Sequence, residues 1–228
     1  MPHVVQNKPD KQPRRLLPQR KRRESILLGA ANAFSRSGFA ATSMEEVAAA
    51  SGITKLIVYR HFRSKAHLYT CVLEETVCML AAEMEAARER NEEHPGLSGI
   101  LAMARSWPSA LKLLVLHAPR EKEFAAVAQR IRSGIVRSVE DLSQVEDPLL
   151  RRLSAELRVS FAFDAVLSWL ELGDPSRDAE FLSWGSSAIT AMIQSWERVG
   201  GTRERLPDLP TQGDAVPPRD SQPLTGSR

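Results

Sequence analysis

The 228-residue chain has two cysteines, Cys71 and Cys78. That is too few for a disulfide-stapled scaffold and suits a reducing compartment. Long hydrophobic runs are missing as well. The most apolar stretch near the C-terminus, Phe161 to Leu172, carries Asp164 and Glu171 and is too short to span a bilayer. The N-terminus is rich in proline and charge and has no apolar core of the secretory type. A cytoplasmic protein with no membrane partner is expected. Strand-like alternation is absent, and β-branched or aromatic runs do not cluster between turns. Phosphate-cradling glycine loops, HExxH, GxSxG and paired carboxylates beside a base are absent too. Neither an enzyme nor a cofactor nor a bound metal is expected.

What is present is ordinary in bulk and uneven in placement. Apolar residues make up 43% and charged residues 26% of the chain, a composition that supports a globular core. The net charge is only +3. Residues 1–70 hold 13 Lys/Arg against 4 Asp/Glu, whereas residues 71–228 hold 18 against 24. A basic first third on an acidic remainder points to a polyanion contact at one end, with nucleic acid as the leading candidate.

The chain divides into four parts. Residues 1–23, with Pro2, Pro9, Pro13 and Pro18 among eight basic residues, are expected to form a flexible basic arm. Residues 24–70 form a first helical domain and 71–199 a larger one. Residues 200–228, with Gly200, Gly201 and several prolines, read as a disordered tail. Between arm and tail the pattern is helical almost throughout, punctuated by Gly38, Gly52, Ser64, His94-Pro95-Gly96, Pro108, Pro119, Asp147-Pro148 and Gly173-Asp174-Pro175. The expectation is an all-α fold of about nine helices.

The first seventy residues carry the functional signal. A first helix, about Glu24 to Ser37, places Ile26, Ala30, Ala33 and Phe34 on one face. Gly38 then supplies the left-handed residue that ends a helix. Ser43 with Glu46 is a capping box opening a second, short helix with a stripe of Met44, Val47 and Ala48. Ser51-Gly52-Ile53 is a tight turn. Thr54 caps a third helix anchored by Val58 and Phe62, which leaves Lys55, Ile57 and Arg60 pointing outward. Two short helices joined by a glycine turn are the helix-turn-helix pattern, and the second has the width to enter a DNA major groove. Lys55 and Arg60 suit guanine acceptors or phosphates, and Leu56 and Ile57 suit thymine methyls. The basic arm, including Arg20, Arg22 and Arg23, can follow phosphates or an adjacent minor groove.

These residues resemble the DNA-binding domain of the TetR family of transcriptional regulators. The likeness rests on Ile26-Leu27 with Ala30-Ala31 and Phe34, on Gly38-Phe39 with Thr42-Ser43, on Val47-Ala48 with Ser51-Gly52-Ile53-Thr54, and on Tyr59, His61-Phe62 and Ser64-Lys65. It covers about residues 23–73 without a gap. It implies that Thr42 and Ser43 lie near phosphate and that Tyr59 and His61 contact the DNA backbone, with Thr54 also counted among the DNA-binding residues. Lys65 would touch phosphate from the start of the fourth helix, and Lys55, Ile57 and Arg60 would face base edges. Many family members have glycine where this chain has Leu56, a departure that bears on the operator sequence.

Beyond residue 70 no motif names a ligand. Cys71 and Cys78, with His67 one turn earlier, share a side of a long fourth helix, but zinc spacing is missing and small core residues are the better reading. The resemblance implies a cavity for a small-molecule effector, and Met103, Trp107, His117, Phe124, Phe161 and Trp169 are the candidates to line it. The last two helices, about Pro148–Leu172 and Pro175–Val199, carry apolar stripes wider than burial in a monomer requires. They are expected to build a four-helix homodimer interface, and a two-fold dimer suits a palindromic operator. The function expected is a ligand-responsive DNA-binding regulator, with repression as its commoner outcome in the family. A helical interaction protein that no longer binds specific DNA is the alternative.

Overall fold

The computed structural model describes residues 19–201. Every regular element among them is helical, and nine α-helices follow one another in the order read from the sequence. The first, α1 (Gln19–Ala41), buries Ile26, Leu27, Ala30, Ala31, Ala33 and Phe34. Gly38 interrupts it with a positive φ of 76°, the conformation that glycine adopts without a Cβ penalty. The helix starts before the expected Glu24, so Arg20, Arg22 and Arg23 are helical and not part of an arm. Their side chains explain the extension. Long unbranched residues favour helix; Arg20 pairs with Glu24 one turn on. Arg23 pairs with Glu75 at 3.2 Å and lies over the Phe62 ring. The rest of the expected arm, and almost all of the expected tail, lie outside the described residues.

The short helices α2 (Met44–Ala50) and α3 (Lys55–His61) pack beneath α1, and α4 (Lys65–Glu89) runs from them into the body. The body continues through α5 (Pro95–Ser106) and α6 (Pro108–Lys112). A five-residue π-helical segment, Leu113–His117, and a 3-10 turn, Ala118–Arg120, follow. Then come α7 (Ala125–Glu140), α8 (Pro148–Leu172) and α9 (Asp178–Gly201). Proline opens α5, α6 and α8, where its missing N–H costs no hydrogen bond. The Asp147 carboxylate accepts from the Leu149 and Leu150 amides at the start of α8. Helix α5 lies against α4 and α8, and α8 against α7 and α9. No single helix among the described residues is long and apolar enough to cross a membrane.

Two hydrophobic clusters hold the molecule together. One fills the body with Leu80, Ile100, Met103, Leu111, Val159, Val166 and Ile189 among others. The other lies under the first three helices but is not confined to them. It joins Phe34, Val47, Val58, Phe62, Leu68 and Tyr69 to Trp107, Leu113, Ala118 and Phe124 from the body. At its centre Tyr69 stacks on Phe124 with centroids 4.1 Å apart, and Phe39 meets both rings edge-on. The Phe39 amide donates to the Glu121 carboxylate at 3.1 Å. The residues just before α7, which begins at Ala125, thus form the joint to the first domain.

The packing places most of the residues expected to line a cavity within the core. Met103, Trp107 and Phe124 are buried core. His117 is half-buried at the end of the π-helical segment. Trp169 is held by neighbours: its indole N–H donates to Asp178 at 2.7 Å and its ring stacks on Phe181. Asp178 also receives a two-pronged contact from Arg105, at 2.7 and 2.9 Å, which ties the start of α9 to the end of α5. The cysteines share a helix but not an environment, Cys71 being covered by the first domain and Cys78 exposed. Burial raises the Cys71 thiol pKa, as for an inert core thiol.

Two predictions follow from this packing. Phe124→Ala removes the ring shared by both domains and lowers stability by about 3–5 kcal/mol, measurable by urea unfolding. The hydrogen bond from Arg105, with that from Trp169, holds the Asp178 carboxyl below its usual pKa. A depressed carboxyl pKa stabilises the fold above the unfolded value and is lost as pH falls through the folded value. Asp178→Asn therefore costs about 1 kcal/mol at neutral pH. The difference from the natural protein closes as pH falls below the usual aspartate range, as thermal melts across pH will show.

Candidate nucleic-acid interface

The second and third helices are set by local chemistry. The Ser43 hydroxyl accepts from the Glu46 amide at 3.2 Å, and the Glu46 carboxylate accepts from the Ser43 amide at 2.6 Å, a closed capping box. Gly52, at φ 66°, makes the turn. Thr54 has the extended backbone of an N-cap but makes no side-chain cap bond, so its exposed hydroxyl stands beside the first turn of α3. Val58 and Phe62 are buried and fix the roll of α3 about its axis. The outward set follows from that roll. Lys55, Leu56, Tyr59 and Arg60 are exposed, with Leu56 at 63% and Tyr59 at 46%, while Ile57 and His61 are half-buried. Large apolar and aromatic groups left in water on a seven-residue helix are what a groove-reading helix presents.

The electrostatics of this face have one feature the sequence reading missed. Glu45, in the first turn of α2, forms an exposed ion pair with Lys55 at the start of α3. The hydrogen bond from Lys55 lowers the Glu45 pKa, and its counterpart raises that of Lys55. The Lys55 ammonium also lies 5.8 Å from the centre of the Tyr59 ring. His61 titrates below its ordinary value, first because it is partly buried and then because Arg22 and Arg23 are near. A neutral imidazole follows at physiological pH.

Two of the expected phosphate contacts are committed inside the fold. Thr42 is buried, and its hydroxyl donates to the Gly38 carbonyl at 2.7 Å. Lys65 donates to the carbonyls of Phe39 and Thr42 at 2.8 and 2.9 Å, with Ala40 at 3.3 Å. Those carbonyls close the end of α1, where a helix has orphan acceptors. Lys65 is thus the clasp of the turn after Gly38, also lying 4.5 Å over the Phe39 ring. The residues it pins adjoin Ser43, so it positions the start of α2.

In the body, Phe161 and Trp169 line an open groove between α8 and α9 together with Phe181 and Trp184. A more enclosed cavity of about 260 Å³ lies elsewhere, between α4, α5, α7, α8 and α9, and none of the six residues expected to line it does so. Its wall is apolar apart from a few polar groups, among them Arg158 and His94. Apolar periodicity marks core helices but does not say which helix pair stands apart, so sequence held no signal for its position.

A short helix-turn-helix, capped and rolled so that polar, apolar and aromatic side chains project from its second helix, is seated on an all-helical body. Residues 26–70 match the family described as bacterial regulatory proteins, tetR family. The first 70 or so residues resemble the HTH-type transcriptional activator FasR of Mycolicibacterium smegmatis, with 37% identity over 71 residues. That match spans 31% of this chain and 32% of the length of that relative. The whole architecture resembles a TetR-like transcriptional regulator from Rhodococcus sp. RHA1, with a TM-score of 0.57 and 20% identity. That likeness covers 82% of this chain and 97% of the other. NalD, the secondary repressor of the MexAB-OprM multidrug efflux pump in Pseudomonas aeruginosa, has the same fold, with a TM-score of 0.52 and 23% identity, over 75% of this chain and 95% of its own. Residues 26–70 are thus similar to the DNA-binding domain of the TetR family, and the whole chain shares its fold with solved regulators of that family.

Lys65→Ala tests the clasp. Stranding the carbonyls that end α1 lowers stability by about 1–2 kcal/mol, read as a lower urea midpoint. DNA affinity should fall to a similar degree on every sequence, because the start of α2 is loosened as a unit.

Proposed function

We propose that the protein is a homodimeric, sequence-specific DNA-binding regulator whose affinity for a palindromic operator is set by a small-molecule effector. The observation that carries the DNA reading is the exposed set on α3, Lys55, Leu56, Tyr59 and Arg60, on a helix whose roll is fixed by Val58 and Phe62. Arg60 and Lys55 read base edges, Leu56 and Ile57 meet thymine methyls, and Tyr59, His61, Ser43 and Thr54 hold the phosphate backbone. Residues 24–70 act as the DNA-binding domain and 71–199 as the ligand-binding and dimerisation domain. Leu149, Leu153, Leu157, Leu172 and Trp184 are exposed on α8 and α9, an apolar surface that supports dimerisation through these helices. The cavity supports a small-molecule site. The effector acts by binding one spacing of the two heads better than another, and it shifts DNA affinity by that difference. We assign repression as the outcome where the operator overlaps the polymerase site. FasR is named an activator and NalD a repressor, so the sign belongs to operator placement more than to the fold.

Selection of binding sites from random duplex DNA at roughly physiological salt, where non-specific binding is weak, tests this reading. The expected product is a palindrome whose affinity falls steeply with added salt. Arg60→Ala should relax preference at one base position per half-site, at a cost of about 1–3 kcal/mol. Enrichment of no sequence, or an affinity indifferent to salt, would return the protein to the class of helical interaction modules.

A further inference from the structure

The cavity between α4, α5, α7, α8 and α9 is bordered by a cation with no ion-paired carboxylate, Glu197 acting on it only as a more distant charge. Arg158, on the inner face of α8, borders it and is half-buried. Its Nε donates to the Ser154 carbonyl and one Nη to the Val139 carbonyl, both at a long 3.4 Å. No carboxylate among the described residues lies within ion-pair distance of its guanidinium. Three other half-buried arginines of the body are neutralised in place, Arg105 by Asp178, Arg132 by Glu156, and Arg152 by Glu140 and Glu156, whereas Arg151, at the start of α8 and away from the cavity, bonds the Glu146 carbonyl. Burial disfavours the charged form of Arg158, yet a guanidinium stays charged in proteins. Three of its five N–H donors are uncommitted within the protein.

The surroundings say what would complete it. The wall beside it is Leu97, Ile100, Val159, Ala162, Phe163 and Ile189. On its α7 side, through Leu80, Met84, Ile135, Val139 and Leu142, the cavity is continuous with an outer cleft of about 510 Å³. The other polar groups at the rim are already paired. The Thr190 hydroxyl donates to Glu93 and shares a hydrogen bond with His94 at 2.8 Å, and Arg88 pairs with Glu85. One unspent fork of donors thus ends a long apolar channel.

We infer that the cavity binds an amphipathic monoanion, a carboxylate on an extended aliphatic or aryl body, with the carboxylate on Arg158 and the body along the channel toward α7. A guanidinium matches a carboxylate with two parallel hydrogen bonds. Neutralising a buried charge yields more than the same contact would at the surface. The inference rests on the effector reading only in taking this cavity as a ligand site.

Calorimetric titration of the full-length protein, without DNA, with decanoate and with 1-decanol separates the charge from the chain. Decanoate should bind about tenfold or more tighter than the alcohol. Arg158→Met should abolish that preference while alcohol binding persists. Ile135→Trp, which fills the channel and keeps Arg158, should weaken both ligands and serves if the first variant does not fold. No decanoate binding, equal affinity for the two ligands, or unchanged decanoate binding in either folded variant overturns the inference. Those failures leave operator recognition standing. Decanoate that binds through Arg158 but leaves operator affinity unchanged keeps the site and removes effector control.

Discussion

The structure depends on one joint. Tyr69 stacked on Phe124, with Phe39 edge-on to both, is the place where the DNA-binding helices and the body share a core. Two polar contacts flank it, Lys65 on the carbonyls that end α1 and Glu121 on the Phe39 amide. Aromatic rings packed at these distances resist sliding because the interior is as dense as a crystal. The α6–α7 connection and the end of α1 are thus packed as one unit, with Thr42 and Ser43 leading from it to the start of α2. The π-helical segment that leads into this connection, Leu113–His117, is an irregular turn of the kind that tolerates a shift in register.

The charge distribution follows the same division of labour. The body has a surplus of acid, and several of its half-buried arginines are paired in place. The first seventy residues carry the surplus of base. An acidic body keeps a polyanion at the intended end, because repulsion there raises the cost of docking in any other orientation.

Much of this was legible in the sequence for physical reasons. The all-helical class, the start of α4, the bounds of α8, the capping box at Ser43 and the turn at Gly52 all rest on local signals, and local signals survive folding. The outward face of α3 was legible because Val58 and Phe62 are spaced one turn apart. The placements that were not legible share a cause. Thr42, Lys65, Phe124, Trp107 and Met103 are residues whose partners lie far along the chain or across a turn whose path no pattern states. A lysine among phosphate-binding residues and a lysine clasping three carbonyls look the same in a sequence. Arg158 was missed because an arginine in an amphipathic helix reads as solvent-facing; only the packing of α4, α7 and α9 around it turns that charge inward.

The Glu45–Lys55 pair gives the reading helix a built-in competitor. Away from DNA the ammonium already rests on a carboxylate, so a random phosphate must displace one anion with another and gains little. A base edge that offers Lys55 two acceptors in the right plane changes the exchange, and the released Glu45 carboxylate is then pressed against the negative duplex. Under the proposed DNA reading, Glu45 competes with any anion for Lys55, a cost that a well-matched base edge can offset and a random phosphate cannot.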